Sequence, residues 1–298
     1  MSLYLVELPS VIVGYHEVEV DMDYQQRLKE KYREAGIMKY HRPLPLHVRC
    51  PKRRLCWGPG RVINERVPEY PCVIFPHIGQ YYDGGLLAVG ISNRANEDLI
   101  EEEEIKSESE WIHRRAEDIR YQGSTSIAVY QCLAVYASIL LARTGLFRQN
   151  VKNISDKRSL LADAIENQIA WTQAVKCNPD TETNKPYRSM WETCPVYILQ
   201  HEISVLRPRY MLVLGLKTFD YVKRLLIGMG YESEPVGRST KRPRIERWLA
   251  TPKKGSQIGV IGVPHPSHSR YEPKDGYGRN EIEIIRQRLK YLKLPIIT

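Results

Sequence analysis

No run of eighteen apolar residues occurs anywhere in the 298-residue chain, so no membrane-spanning helix is expected. The first apolar stretch, Leu3-Tyr-Leu-Val6, is interrupted at once by Glu7 and Pro9 and has neither a basic leader nor a cleavage site, which predicts a cytoplasmic protein. Internal repeats are missing, and the only low-complexity tract is Glu101 to Glu104, which excludes a repeat architecture. Cysteine is scarce, six in all, and no spacing among them is a self-sufficient metal signature. In a leaderless chain such cysteines argue against structural disulfides and for free thiols or metal ligation.

Apolar residues make up 42% and charged residues 27%, values close to those of globular proteins, so the chain is expected to fold around one large core or one core with a small appended module. The net charge of +9 is concentrated at one end. From Arg238 to Thr298 there are 14 Lys/Arg against 5 Asp/Glu, a surplus equal to that of the whole chain. A polyanion is the partner this bias suggests, the alternative being a solvated basic surface. Neither a membrane nor an obligate protein partner is indicated.

Two regions follow from the pattern. Residues 1–83 carry an apolar start, a charged helix candidate from Asp21 to Ala35, and a stretch with Pro43, Pro45, Pro51, Pro59, Pro68, Pro71 and Pro76 that rules out long helices. This segment is expected to wrap the main domain, residues 84–298. There, apolar runs Leu86 to Gly90, Ile169 to Val175, Tyr210 to Leu214 and Ile258 to Val263 alternate with helix candidates near 125–143, 193–206, 217–229 and 280–292. The alternation predicts an α/β fold: three layers, α/β/α, around a central four-stranded, mostly parallel sheet. Thr193 is a candidate cap for the helix over 193–206, with Pro195 in its first turn, and Arg207-Pro208 a stop signal. Cys132, within the apolar pattern Ile127 to Leu141, is expected in the core.

Three chemistry-bearing segments then fall at carboxyl ends of predicted strands: Ser92-Asn93, Gln173 to Lys176, and Val263-Pro-His265-Pro-Ser267-His268-Ser-Arg270. Ligands of open α/β sheets bind at that edge. One cleft could gather all three.

The order Gln168-Ile-Ala-Trp-Thr-Gln173-Ala-Val-Lys-Cys177-Asn-Pro, Cys194, Leu206-Arg-Pro-Arg-Tyr-Met-Leu-Val-Leu-Gly215 and His265-Pro-Ser267 resembles the uracil-DNA glycosylase superfamily, in particular its iron–sulfur branch. The resemblance covers about residues 84–270. It implies DNA as substrate, with His265 donating a hydrogen bond to the carbonyl of the departing base, and Ser267, with His268 and Arg270 beside it, gripping flanking phosphates. The target base must be flipped out of the stack, and Tyr121 in Arg120-Tyr-Gln-Gly-Ser124 is the candidate platform, with Tyr130 following. Gln173 stands where the family usually has a base-reading asparagine. The first motif departs most: Gly90-Ile-Ser92-Asn93-Arg94 lacks the family's proline. Ser92 takes the water-orienting place, with Asn93 and Asp98 in reserve. The resemblance also implies a 4Fe–4S cluster on Cys50, Cys56, Cys177 and Cys194, with Cys72 an alternative to either of the first pair. Zinc, or plain reduced thiols, are the other readings of these sulfurs.

No lysine is nominated as a Schiff-base nucleophile, so the expected activity is that of a monofunctional glycosylase. Ser92, Gln173 and an acidic insert around Glu101 to Glu117 all depart from the family at the pocket rather than the scaffold. These departures favour a non-standard pyrimidine, a hydroxymethylated or glucosylated cytosine of phage DNA in antiviral defence, over uracil or another deaminated base in repair. A catalytically inactive DNA-binding homologue is the remaining alternative, and a nucleoside hydrolase would have no need of the basic C-terminal third.

Overall fold

Continuous apolar runs without alternation are what a strand buried on both faces requires, and in the computed structural model of the protein the four such runs lie side by side as parallel strands. The structure describes residues 23–39, 47–48, 52, 55–56, 76–92, 127–141, 167–176, 186–239, 244–266 and 279–290. β4 (Leu86–Ser92), β5 (Ala170–Val175), β6 (Tyr210–Leu214) and β9 (Ile258–Val263) form the parallel centre in the spatial order β5-β4-β6-β9. Every residue of β5, β6 and β9 is buried.

This centre is extended on both sides. The short β3 (His77–Ile78) pairs antiparallel with β5. At the other side an antiparallel hairpin of β7 (Tyr231–Ser239) and β8 (Ile245–Pro252) completes seven strands, β8 lying against β9. The hairpin has no counterpart in the sequence reading. A separate two-stranded pair joins β1 (Met38–Lys39) to β2 (His47–Val48).

Helices cover both faces. Leu86, Ala88, Trp171, Leu212, Ile261 and Val263 pack under α2 (Ile127–Leu140), where Cys132 is buried as expected, and under Ile285 and Leu289 of α6 (Arg279–Lys290). The opposite face, with Leu87, Val89, Met211, Val213 and Val260, receives α3 (Arg188–Cys194), α4 (Gln200–Leu206) and α5 (Leu216–Gly228). The three layers are therefore those anticipated. Outside the second helical layer, α1 (Asp23–Glu34) seats Leu28 and Tyr32 against Cys194, Ile198 and Val205.

The expected helix start at Thr193 is corrected. Helical structure begins at Arg188, after Tyr187, and runs on through a π-helical turn at Pro195–Leu199 into α4. Proline has no N–H to give to the preceding turn. The chain absorbs this with a wider turn in which the N–H of Gln200 reaches the carbonyl of Pro195. The stop at Arg207-Pro208 is as expected: Arg207 adopts φ 43°, and its N–H closes on Ile203 O at 2.9 Å.

Two close approaches register α5 on the sheet. Gly215, at φ 104°, turns the chain from β6 into α5 while its N–H bonds Val263 O at 2.7 Å. A β-carbon on Gly262 would lie 2.5 Å from the ring of Phe219, so only glycine lets that ring rest on β9.

Candidate functional site

Because β5, β4, β6 and β9 run parallel, their carboxyl ends share one edge. Gln173 is in β5 opposite Gly90 of β4. Its side chain is buried and lies flat on the glycine: a β-carbon at Gly90 would come within 1.9 Å of Gln173 Oε1. That oxygen has no hydrogen-bond partner among the described residues. A buried carbonyl without a donor is costly. It is the kind of atom a ligand is expected to satisfy.

Ser92 is the last residue of β4 and pairs with Val175. His265 follows β9 by two residues, half-buried between half-buried Pro264 and buried Pro266. Three strand spacings, about 14 Å, separate β5 from β9, with the ends of β4 and β6 between. The start of α5 also abuts this edge. There the buried Thr218 hydroxyl has no partner among the described residues and faces Gly215, where a β-carbon would be 3.1 Å away.

Among the sequence candidates, Asn93, Asp98, Tyr121, Ser267, His268 and Arg270, with Cys50, Cys72 and Cys177, lie outside the described residues. Cys56 and Cys194 are described, and both are buried. They sit at the same helix. Ser189 of α3 donates its hydroxyl to Cys56 O, and Thr193 offers the Cys56 thiol a hydrogen bond, although burial still pushes that thiol's pKa up. Cys194 Sγ accepts the N–H of Lys176, at 3.2 Å, immediately before Cys177. Among the described residues no group of three or more potential metal ligands forms.

One feature beneath this edge escaped the sequence reading. Lys176 and Glu202, of α4, are wholly buried, with Lys176 Nζ 2.6 Å from the carboxylate. Thr172 donates to the same carboxylate at 2.8 Å, Tyr32 of α1 donates to its other oxygen, and Lys176 Nζ also bonds Thr172 Oγ1. Burial, and next the Glu202 charge, hold the Tyr32 phenol far above its ordinary pKa, so it remains a donor. The signal was present in the sequence: Glu202 stands on the apolar face of Ile198, Leu199, Val205 and Leu206. A charge there needs a partner.

Fold and edge together define a three-layer α/β protein with polar groups at the carboxyl ends of parallel strands, the position at which such sheets take ligands. The family model described as Uracil DNA glycosylase superfamily matches residues 129–292, more than half of the chain, and the chain belongs to that superfamily. Its members are DNA glycosylases, which act on DNA. The match spans Gln173 and His265, while Gly90 and Ser92 precede it. Compared with curated proteins, the chain finds no match. Among the described residues no helix is long and apolar enough to cross a membrane.

Proposed function

We propose that this protein is a monofunctional DNA glycosylase that flips out a non-standard pyrimidine and hydrolyses its N-glycosidic bond. The observation that carries the reading is the buried, unpartnered oxygen of Gln173, held over Gly90 at the edge where His265 follows β9. Cleavage leaves negative charge on the departing base and positive charge on the sugar. An imidazole N–H from His265, directed at the base carbonyl, stabilises the first. Ser92 or Asn93 orients the attacking water. A hydroxyl or amide cannot act as a base at neutral pH, so leaving-group stabilisation supplies most of the acceleration. Tyr121 stacks on the extruded base, and Ser267, His268 and Arg270 hold the phosphates beside it.

The favoured substrate is a modified cytosine, hydroxymethylated or glucosylated, as in phage DNA, which makes the protein an antiviral enzyme acting in the cytoplasm. An unpaired acceptor calls for a donor, and the exocyclic amino group of a cytosine ring is one. The longer arm of glutamine also suits a differently placed base than asparagine does. Uracil excision in repair is the second reading, favoured by the superfamily itself. Mass spectrometry of bases released from modified-cytosine phage DNA and from uracil-containing oligonucleotides tests both. Release of the modified base is expected. Efficient uracil release with intact phage DNA would overturn the preference.

A 4Fe–4S cluster belongs to this proposal, with Cys50, Cys56, Cys177 and Cys194 to hold it. Two observations support this donor set: Cys56 and Cys194 are both buried beside α3, and Cys194 Sγ accepts the N–H of the residue preceding Cys177. When bound, such a cluster would tie the N-terminal segment to the domain through thiolate ligation. Visible absorbance of protein purified without oxygen, lost in the Cys194→Ala variant, is the expected signature.

A further inference from the structure

The hairpin β7–β8 ends at the same edge as His265. β8 runs antiparallel to β9, with Glu246 opposite Gly262, and Ser239 of β7 is opposite Ile245. β7 therefore ends and β8 begins at the carboxyl end of β9, one to two strand spacings, roughly 5–10 Å, to the side. In sequence this stretch is strongly basic, with Arg238, Lys241, Arg242, Arg244 and Arg247 against the single acid Glu246.

Its geometry is built. The register shifts between Pro235 and Gly237, leaving Val236 as the extra residue of a β-bulge, a device that increases strand twist and re-aims side chains. Gly237, at φ 141°, leaves space for Arg247: a β-carbon would sit 2.9 Å from Nη2. Arg247 in turn donates to the carbonyl of Arg288 in α6, so the hairpin is fastened to the helical layer. Pro235 and the bulge spoil β7 as a template for another strand. The edge is thus poorly suited to β-pairing with a second chain.

Two guanidinium groups share one carboxylate here. Arg238 Nε lies 3.1 Å and Arg244 Nη2 3.4 Å from Glu246 Oε1, with the Arg238 side chain 58% exposed. Two cations on one anion leave positive charge uncompensated. Arg244 and Glu246 are only 25% and 18% exposed, so their pairing stays in place, whereas the Arg238 arm reaches solvent, where an ion pair is weak and a phosphate can rival the carboxylate.

We infer that this hairpin is a DNA-backbone clamp, in which Arg238 and Arg244, whose combined charge Glu246 only half offsets, hold phosphates flanking the extruded nucleotide on the β9 side. The inference rests on the reading that the edge receives DNA, and it assigns Glu246 the role of an internal competitor. Lys253 and Lys254, exposed beyond Pro252 at the opposite end of β8, provide the comparison: they carry equal charge at the wrong end.

The test is a fluorescence titration of the full chain with a labelled single-stranded oligonucleotide containing only standard bases, repeated over a range of salt. Arg238→Ala/Arg244→Ala is expected to lose about tenfold or more in affinity and to lower the salt slope by about 1.4, two single-strand phosphate contacts. Glu246→Gln is expected to bind several-fold more tightly, and Lys253→Ala/Lys254→Ala to keep the wild-type slope. A wild-type slope in the arginine variant, weaker binding by Glu246→Gln, or an equal loss in the lysine variant would each overturn the clamp. Turnover does not enter the measurement. DNA held through the hairpin without release of any base would sink the proposed activity alone, whereas base release with an unchanged slope in the arginine variant would sink the clamp alone.

Discussion

Lys176 and Glu202 meet at 2.6 Å with neither side chain reaching solvent, and through Tyr32 and Thr172 this one carboxylate joins α1, β5 and α4. Removing one member of such a pair leaves a buried charge uncompensated. Lys176→Met is therefore expected to cost about 3–5 kcal/mol, and Glu202→Gln to be similarly harmful. Lys176→Met/Glu202→Gln should recover part of the loss, because neither residue then carries charge. Urea unfolding of the three variants measures the coupling. Equal and additive losses would show that the two side chains act independently.

A second expectation concerns the glycine beneath Gln173. Gly90→Ala places a methyl group where Gln173 Oε1 now lies. The obstruction is the far end of a flexible side chain, so the fold adjusts at a cost of about 1–3 kcal/mol, while the amide leaves its position. Base release should fall by a factor close to that of Gln173→Ala. The double variant should be no worse than either alone, since both changes remove one interaction. Single-turnover rates of the four proteins check this, and multiplicative losses would refute it.

His265 separates an enzyme from a binder. If its imidazole stabilises the departing base, His265→Ala loses about 10²- to 10³-fold in turnover, with affinity for DNA nearly unchanged. A drop in affinity alone, with the rate of base release at saturating protein preserved, would make His265 a positioning contact. Burst rates and equilibrium titrations on the same oligonucleotide distinguish these outcomes.

The four central strands were legible because burial on both faces writes itself as largely apolar runs, unbroken in Tyr210–Leu214 and Ile258–Val263 and interrupted only by Thr172 and Gln173 in β5. The hairpin was not. β7 reads Tyr-Glu-Ser-Glu-Pro-Val-Gly-Arg-Ser, whose charges and proline belong to an edge strand and resemble a loop when seen without its neighbour. Thr193 and Pro195 misled in another way: Ser/Thr before proline is a common helix opening, but α3 was already under way and a π turn accommodated the ring. At the site, strand ends could be read from where the apolar runs stop, and that was enough to bring Gln173 and His265 to one edge. What could not be read was which residues meet. The flat contact of Gln173 on Gly90 and the pairing of Lys176 with Glu202 join residues far apart in the chain, and local patterns hold no record of such meetings.

The π turn at Pro195–Leu199 amounts to one residue more than an ordinary helix would use over the same span. Each residue of an α-helix advances the side chains by about 100°. The surplus residue therefore works as a phase setter: it rotates everything downstream so that Glu202 points inward at Lys176 instead of along the flank of its helix. A proline that looks like a defect in the second helical layer thus determines which side chain the lysine beside Cys177 finds waiting for it.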